Sequence, residues 1–152
     1  MLSDDTVKVL NGLIQISQDG TKGFAEAAKE AAIPELTTVF HQRSLDCAEA
    51  VAELQALVKI LGGTPKDSGT VAGAAHRGWS KVKAAAGDVG TLEEVESAED
   101  KAKTAYTKAL TVALSPHVRN VVKRQRDDVI RNHELIRDLR NRYKVRKEPV
   151  AI

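Results

Sequence analysis

Apolar side chains recur along this chain in alternating steps of three and four over four separate stretches. That spacing lays one continuous stripe on each of four helices packed as a left-handed bundle. The first stripe runs Leu10, Ile14, Ser17, Thr21, Phe24, Ala28, Ala31, and the second Phe40, Ser44, Cys47, Val51, Leu54, Val58, Leu61. The third runs Val95, Glu99, Ala102, Tyr106, Ala109, Ala113. The fourth runs Val118, Val122, Gln125, Val129, Asn132, Ile136, Leu139, Tyr143. Polar residues interrupt every stripe near its middle, and a polar group in a bundle core needs a partner or a job.

Local punctuation sets the expected boundaries. Ser3 or Asp4 can cap helix 1, which runs toward Ala32; Ile33 precedes Pro34 and is pushed out of the helical region. Pro34 suits the first turn of helix 2, and Gly62-Gly63 ends it. A capping box from Thr91 to Glu94 opens helix 3, which ends near Leu114. Ser115 and Pro116 begin helix 4, which reaches about Val145. The two hairpins close tightly, whereas Gly62 to Gly90 forms a long crossover between helices 2 and 3. One long crossover is the ferritin-like way of wiring a four-helix bundle. Val71, Ala74, Ala75, Trp79 and Val82 fall at helical spacing within it, predicting a short extra helix over Thr70 to Ala86, with Trp79 covering an edge or end of the bundle. The expected organisation is one all-α domain over 1–145 and a frayed tail over 146–152.

Composition narrows the picture without naming a function. The chain has 152 residues, 3% aromatic and 29% charged, which suits one Ala-rich helical domain. Cys47 is the single cysteine and cannot form an internal disulfide. With no secretory signal pattern and no apolar run of membrane length, a soluble cytoplasmic protein is expected. Residues 1–62 hold five Lys/Arg against nine Asp/Glu, while 117–147 hold eleven against four. The basic end of helix 4, from Arg137 to Lys147, raises nucleic-acid binding, but no nucleic-acid motif or aromatic platform accompanies it. Dipole complementation and packing against the acidic first hairpin are the preferred account. An Ala-rich outer surface favours a homodimer.

Counting outward from the tight turns places Glu99 opposite Asn132 and His133, Tyr106 opposite Gln125, and Thr21 opposite Cys47. If the crossover spans the bundle, Glu99 also falls level with His41 to Ser44. A di-iron centre of the ferritin type needs a carboxylate from each of two helices and a Glu-x-x-His pair from each of the others. No Glu-x-x-His occurs: Ile130 stands three before His133 and Thr38 three before His41. Asp19, Glu26 and Glu49 fall opposite the apolar stripes and are expected to face solvent. A reduced site, one iron, manganese or zinc ion held by Glu99, His133 and His41, stays open as the alternative to a structural Glu99–His133 pair, which is preferred. Cys47 reads as a small buried hydrophobe, and Tyr106 with Gln125 as a structural pair. His76, Arg77 and Trp79 read as part of a solvated crossover face. The stretch Gly62 to Thr70 lacks the Lys-Ser/Thr spacing of a phosphate loop.

Several short elements together resemble a known family. They are Asp19-Gly20 with Gly23-Phe24, Cys47-Ala48-Glu49 with Glu53-Leu54, Leu61-Gly62-Gly63-x-Pro65, Ser68-Gly69-Thr70-x-x-Gly73, and His76-Arg77-Gly78-Trp79. Glu99-Asp100 with Tyr106, and Arg124-Gln125 with Asn132-His133, complete the set. The order is similar to that of the bacterial ferritin-like four-helix-bundle family catalogued as a domain of unknown function, over about Asp4 to Arg142. The resemblance implies a ferritin-like bundle in a bacterial, stress-associated setting and brings no reaction with it. The expected role is a non-catalytic binding or assembly module, with a metal-binding or redox protein built around Glu99 and His133 as the alternative.

Overall fold

The computed structural model describes residues 2–70 and 87–147. Four helices make up the bundle among them: α1 (Leu2–Glu30), α2 (Pro34–Ile60), α3 (Asp88–Ala109) and α4 (Pro116–Lys147). None of them is long and apolar enough to cross a membrane. The extra helix expected over Thr70 to Ala86, with His76, Arg77 and Trp79, lies outside the described residues. So does the tail beyond Lys147; α4 itself continues two residues into the expected tail.

α1 packs on α2 and α3, and α4 packs on α3 and α2, so α2 and α3 sit across the bundle from each other. The crossover explains this order. α2 closes in a Schellman motif, where Gly62 N–H donates to Lys59 O and Gly63 N–H to Val58 O, each at 3.0 Å. Gly62 adopts φ 79°, a left-handed turn that a side chain would strain. The chain then climbs α1 in its own direction. Asn11 bonds Thr64 O and Lys66 N, Gln18 bonds Asp67 O, and Asp19 accepts from both the amide and hydroxyl of Thr70.

The crossover delivers α3 to the α1–α2 turn. There the Asp88 carboxylate accepts from the backbone N–H groups of Ala32 and Ile33, both at 3.0 Å. Ile33, the N-cap of α2, has no side-chain cap of its own, so Asp88 supplies acceptors that the local sequence lacks. α3 therefore starts one turn before the expected capping box. Gly87 is its N-cap with φ 93°, and the Thr91 hydroxyl donates back to Gly87 O within the helix instead of capping it. α3 also ends earlier than expected, at Ala109, because 110–115 form the turn into Pro116.

The core has two halves. One, toward the α3–α4 turn, gathers Leu10, Ile14, Val51, Leu54, Val58 and Val122. The other, toward the α1–α2 turn, gathers Phe24, Leu36, Phe40, Leu92 and Ile136, with the Phe24 and Phe40 rings 6.2 Å apart. Polar side chains from all four helices lie between them.

Candidate functional site

At mid-height, Arg43 on α2 reaches across the bundle to Glu99 on α3. Nε donates to Glu99 Oε1 at 3.1 Å, and Nη2 lies 3.5 Å from Oε2. Both residues are buried, at 7% and 3% exposure. Burial pushes the Glu99 carboxyl above its ordinary range, while the Arg43 charge and hydrogen bond, then Asn132 and His133, pull it back. Arg43 is opposed by its own burial but held protonated by the negative groups around it, with a net upward shift. The guanidinium supplies the counter-charge for the buried carboxylate.

A second chain of bonds links all four helices. The Tyr106 hydroxyl on α3 lies 3.2 Å from Ser17 Oγ on α1 and donates to Gln125 Oε1 on α4 at 2.7 Å. Gln125 Nε2 donates to Glu53 Oε1 on α2 at 2.7 Å, and Arg124 also binds Glu53. Burial offsets part of the pull on Glu53, yet its Arg124 and Gln125 bonds hold the carboxyl below its ordinary value. Burial pushes Tyr106 up to about 12 despite the Ser17 bond. It likewise pushes Cys47 to about 12 despite the Arg43 charge, so the thiol stays protonated and unreactive at neutral pH. Cys47 sits at a close approach of α1 to α2: a Cβ on Gly20 would lie 2.8 Å from Cys47 Sγ.

The sequence-derived layer is thus partly rearranged. Glu99, Tyr106 and Gln125 are buried together, and Asn132 and His133 are half-buried at its edge. Glu99 pairs with Arg43 and not with His133, whose Nε2 lies 2.6 Å from Asp100 Oδ1. The reason is helical phase: His133 stands one position past the α4 stripe and faces the outer edge of α3, whereas Arg43 stands beside Ser44 on the inner face of α2. His41 is exposed. Asp19 is half-buried and bound to Thr70, not free in solvent, because the crossover covers that side of α1. Arg43 and Glu53 are the two members the sequence reading missed. Arg43 falls three residues after Phe40 and four before Cys47, a spacing that could have placed it inward.

These residues do not fit a di-iron pair. The inward mid-height positions are Ser17, Gly20 and Thr21 on α1, Arg43 and Cys47 on α2, Glu99 on α3, and Gln125 and Val129 on α4. Glu99 is engaged by Arg43, and of the other described carboxylates in the wall of the cavity between the helices only Glu94 is buried, where two hard cations need several anionic oxygens. Among the described residues, no three His, Cys, Asp or Glu side chains converge as ligands.

Fold and wiring together define a ferritin-like four-helix bundle. The crystal structure of a two-domain protein from Anabaena variabilis ATCC 29413, containing DJ-1/ThiJ/PfpI-like and ferritin-like domains, superposes with a TM-score of 0.80 at 11% identity. The alignment covers 100% of this chain and 40% of that one. The chain belongs to the family described as domain of unknown function DUF2383, whose profile matches residues 5–112. That match ends before α4, so Gln125 and His133 lie beyond it. No curated protein matches the sequence.

Proposed function

We propose that this bundle is a non-catalytic binding and assembly module. The observation that carries the reading is that the ionisable groups at mid-height are spent on one another across the helices, beside an open cavity. Arg43 holds Glu99, Arg124 and Gln125 hold Glu53, and Cys47 and Tyr106 remain protonated. Such pairs fix geometry, and Cys47 and Tyr106, both pushed up to about 12, are neither nucleophile nor base at neutral pH. Elemental analysis of protein purified without chelators tests the reading against its metal-dependent alternative. Iron, manganese and zinc are expected well below one equivalent per chain. A stoichiometric metal that is lost in Glu99→Gln or His133→Ala would overturn it.

Assembly is favoured by the outer face of α2, which lies opposite the core. Leu45 and Ile60 are 52% and 78% exposed there, and Ala48, Ala52 and Ala56 lie exposed between them. The row is about 22 Å long at 1.5 Å per residue. α2 thereby carries an apolar row on its outer face as well as its core face. The occupant that fits is a second copy in antiparallel register. A two-fold through Ala52 sets Ala48 against the other copy's Ala56 and brings each Leu45 end to an Ile60 end. It also turns the acidic end of the row, Asp46 and Glu49, toward the opposing Lys59, whereas a parallel pairing stacks like on like.

A further inference from the structure

Between the two halves of the core, the helices leave a cavity of about 280 Å³ among the described residues. Phe24, Cys47, Val95, Ala98, Ala102 and Val129 form apolar parts of its wall. An apolar cavity of about 150 Å³ takes one benzene, so this space is matched to a molecule of about two fused rings. Spaces between bundle helices with apolar walls and few polar groups are where small ligands bind.

The polar part of the wall decides the ligand's charge, because its groups are already engaged within the protein. Ser17 Oγ lies 3.2 Å from the Tyr106 hydroxyl, which donates to Gln125 at 2.7 Å, and Gln125 in turn donates to Glu53. Arg43 donates to Glu99 in an ion pair whose two charges offset each other. Nearer solvent, Asp19 accepts from Thr70, Asp46 from Gln42 and Asp128 from Arg131. Glu94 is likewise engaged. Lys101, the remaining charged group of the wall, is exposed, where water and salt screen it. A charged ligand therefore sheds its hydration without gaining a buried counter-charge, whereas an apolar ligand gains from leaving water. We propose that the cavity binds an uncharged, apolar molecule of about two fused rings, held by contact with the walls and not by an ion pair. This assignment rests on the reading of the bundle as a binding module and names its ligand class.

Isothermal titration of the full chain with four probes tests it: naphthalene, benzene, 2-naphthoate and 2-naphthylmethylamine. Naphthalene is expected to bind one per chain and at least about tenfold more tightly than benzene, which buries less apolar surface. The same margin is expected over both ions, which lose hydration on entry. Methyl resonances of Val95 and Val129, which line the cavity, should shift on saturation with naphthalene, while those of Leu45 and Ile60 on the outer face of α2 stay in place. Ala102→Leu, which extends a side chain into the cavity, is expected to abolish binding. Equal affinity for benzene or either ion, shifts centred on Leu45 and Ile60, or unchanged affinity in Ala102→Leu overturns the assignment. Failure of all four probes to bind overturns it as well. The non-catalytic reading is decided separately by the elemental analysis, so the two can fail independently. The wild-type titrations and methyl shifts decide even where Ala102→Leu does not fold.

Discussion

At the scale of single residues, the Arg43–Glu99 pair is the most consequential group in the molecule. Breaking one side of a buried pair strands the other charge, whereas replacing both by apolar residues often leaves stability unchanged or improves it. Arg43→Met alone is therefore expected to lower unfolding free energy by about 3–5 kcal/mol. Arg43→Met/Glu99→Leu should recover most of that loss, and urea unfolding of the three chains measures both effects. The pair was legible on one side only. Glu99 broke an apolar stripe and drew attention as a polar core residue, and Tyr106 opposite Gln125 followed from counting outward from the Ser115-Pro116 turn. Arg43 escaped because arginine is read as a surface residue and Ser44 beside it fits the same stripe. A bundle stripe wide enough to bury both admits the longer side chain, which then crosses to the opposite helix.

At the scale of helices, the boundaries that sequence marked correctly are those set by local chemistry. Pro34, Pro116 and Gly62 act on their own backbone, so their effect needs no distant partner. The start of α3 is different. A capping box at Thr91 is the local reading, but Asp88 finds its partners 55 and 56 residues away at the α1–α2 turn, and helix initiation moves to it. Asp88→Ala removes both acceptors from Ala32 and Ile33. The expected result is a loss of about 2 kcal/mol, seen as a lower urea midpoint at unchanged slope. Faster amide exchange at Ala32 and Ile33 should accompany it, with exchange at Leu54 and Val58, in the other half of the core, little altered. Equal acceleration at both ends would show that Asp88 acts on global stability and not on the turn.

At the scale of the whole molecule, the long crossover was the feature from which wiring could be read, because only a connection running the length of the bundle can put α3 beside α1 and opposite α2. The same wiring leaves the outer face of α2 uncovered among the described residues, and there the expectation of a homodimer acquires a surface. A two-fold at Ala52 predicts that Ala52→Arg sets two like charges against each other at the closest approach of the pair. Analytical ultracentrifugation should then show a dimer for the wild-type chain and a monomer for Ala52→Arg, with helix content unchanged because position 52 is exposed in the single chain. The opposite charges at the two ends of the row set a sharper test. Lys59→Glu should weaken the dimer by removing the attraction to Asp46 and Glu49, and combining it with Asp46→Lys and Glu49→Lys should restore association, since the three changes together invert each end of the row without changing its pattern. A wild-type chain that remains monomeric at about the hundred-micromolar level excludes this face as the interface. Restoration that fails while Lys59→Glu dissociates the dimer excludes the antiparallel register, in which the two charged ends meet.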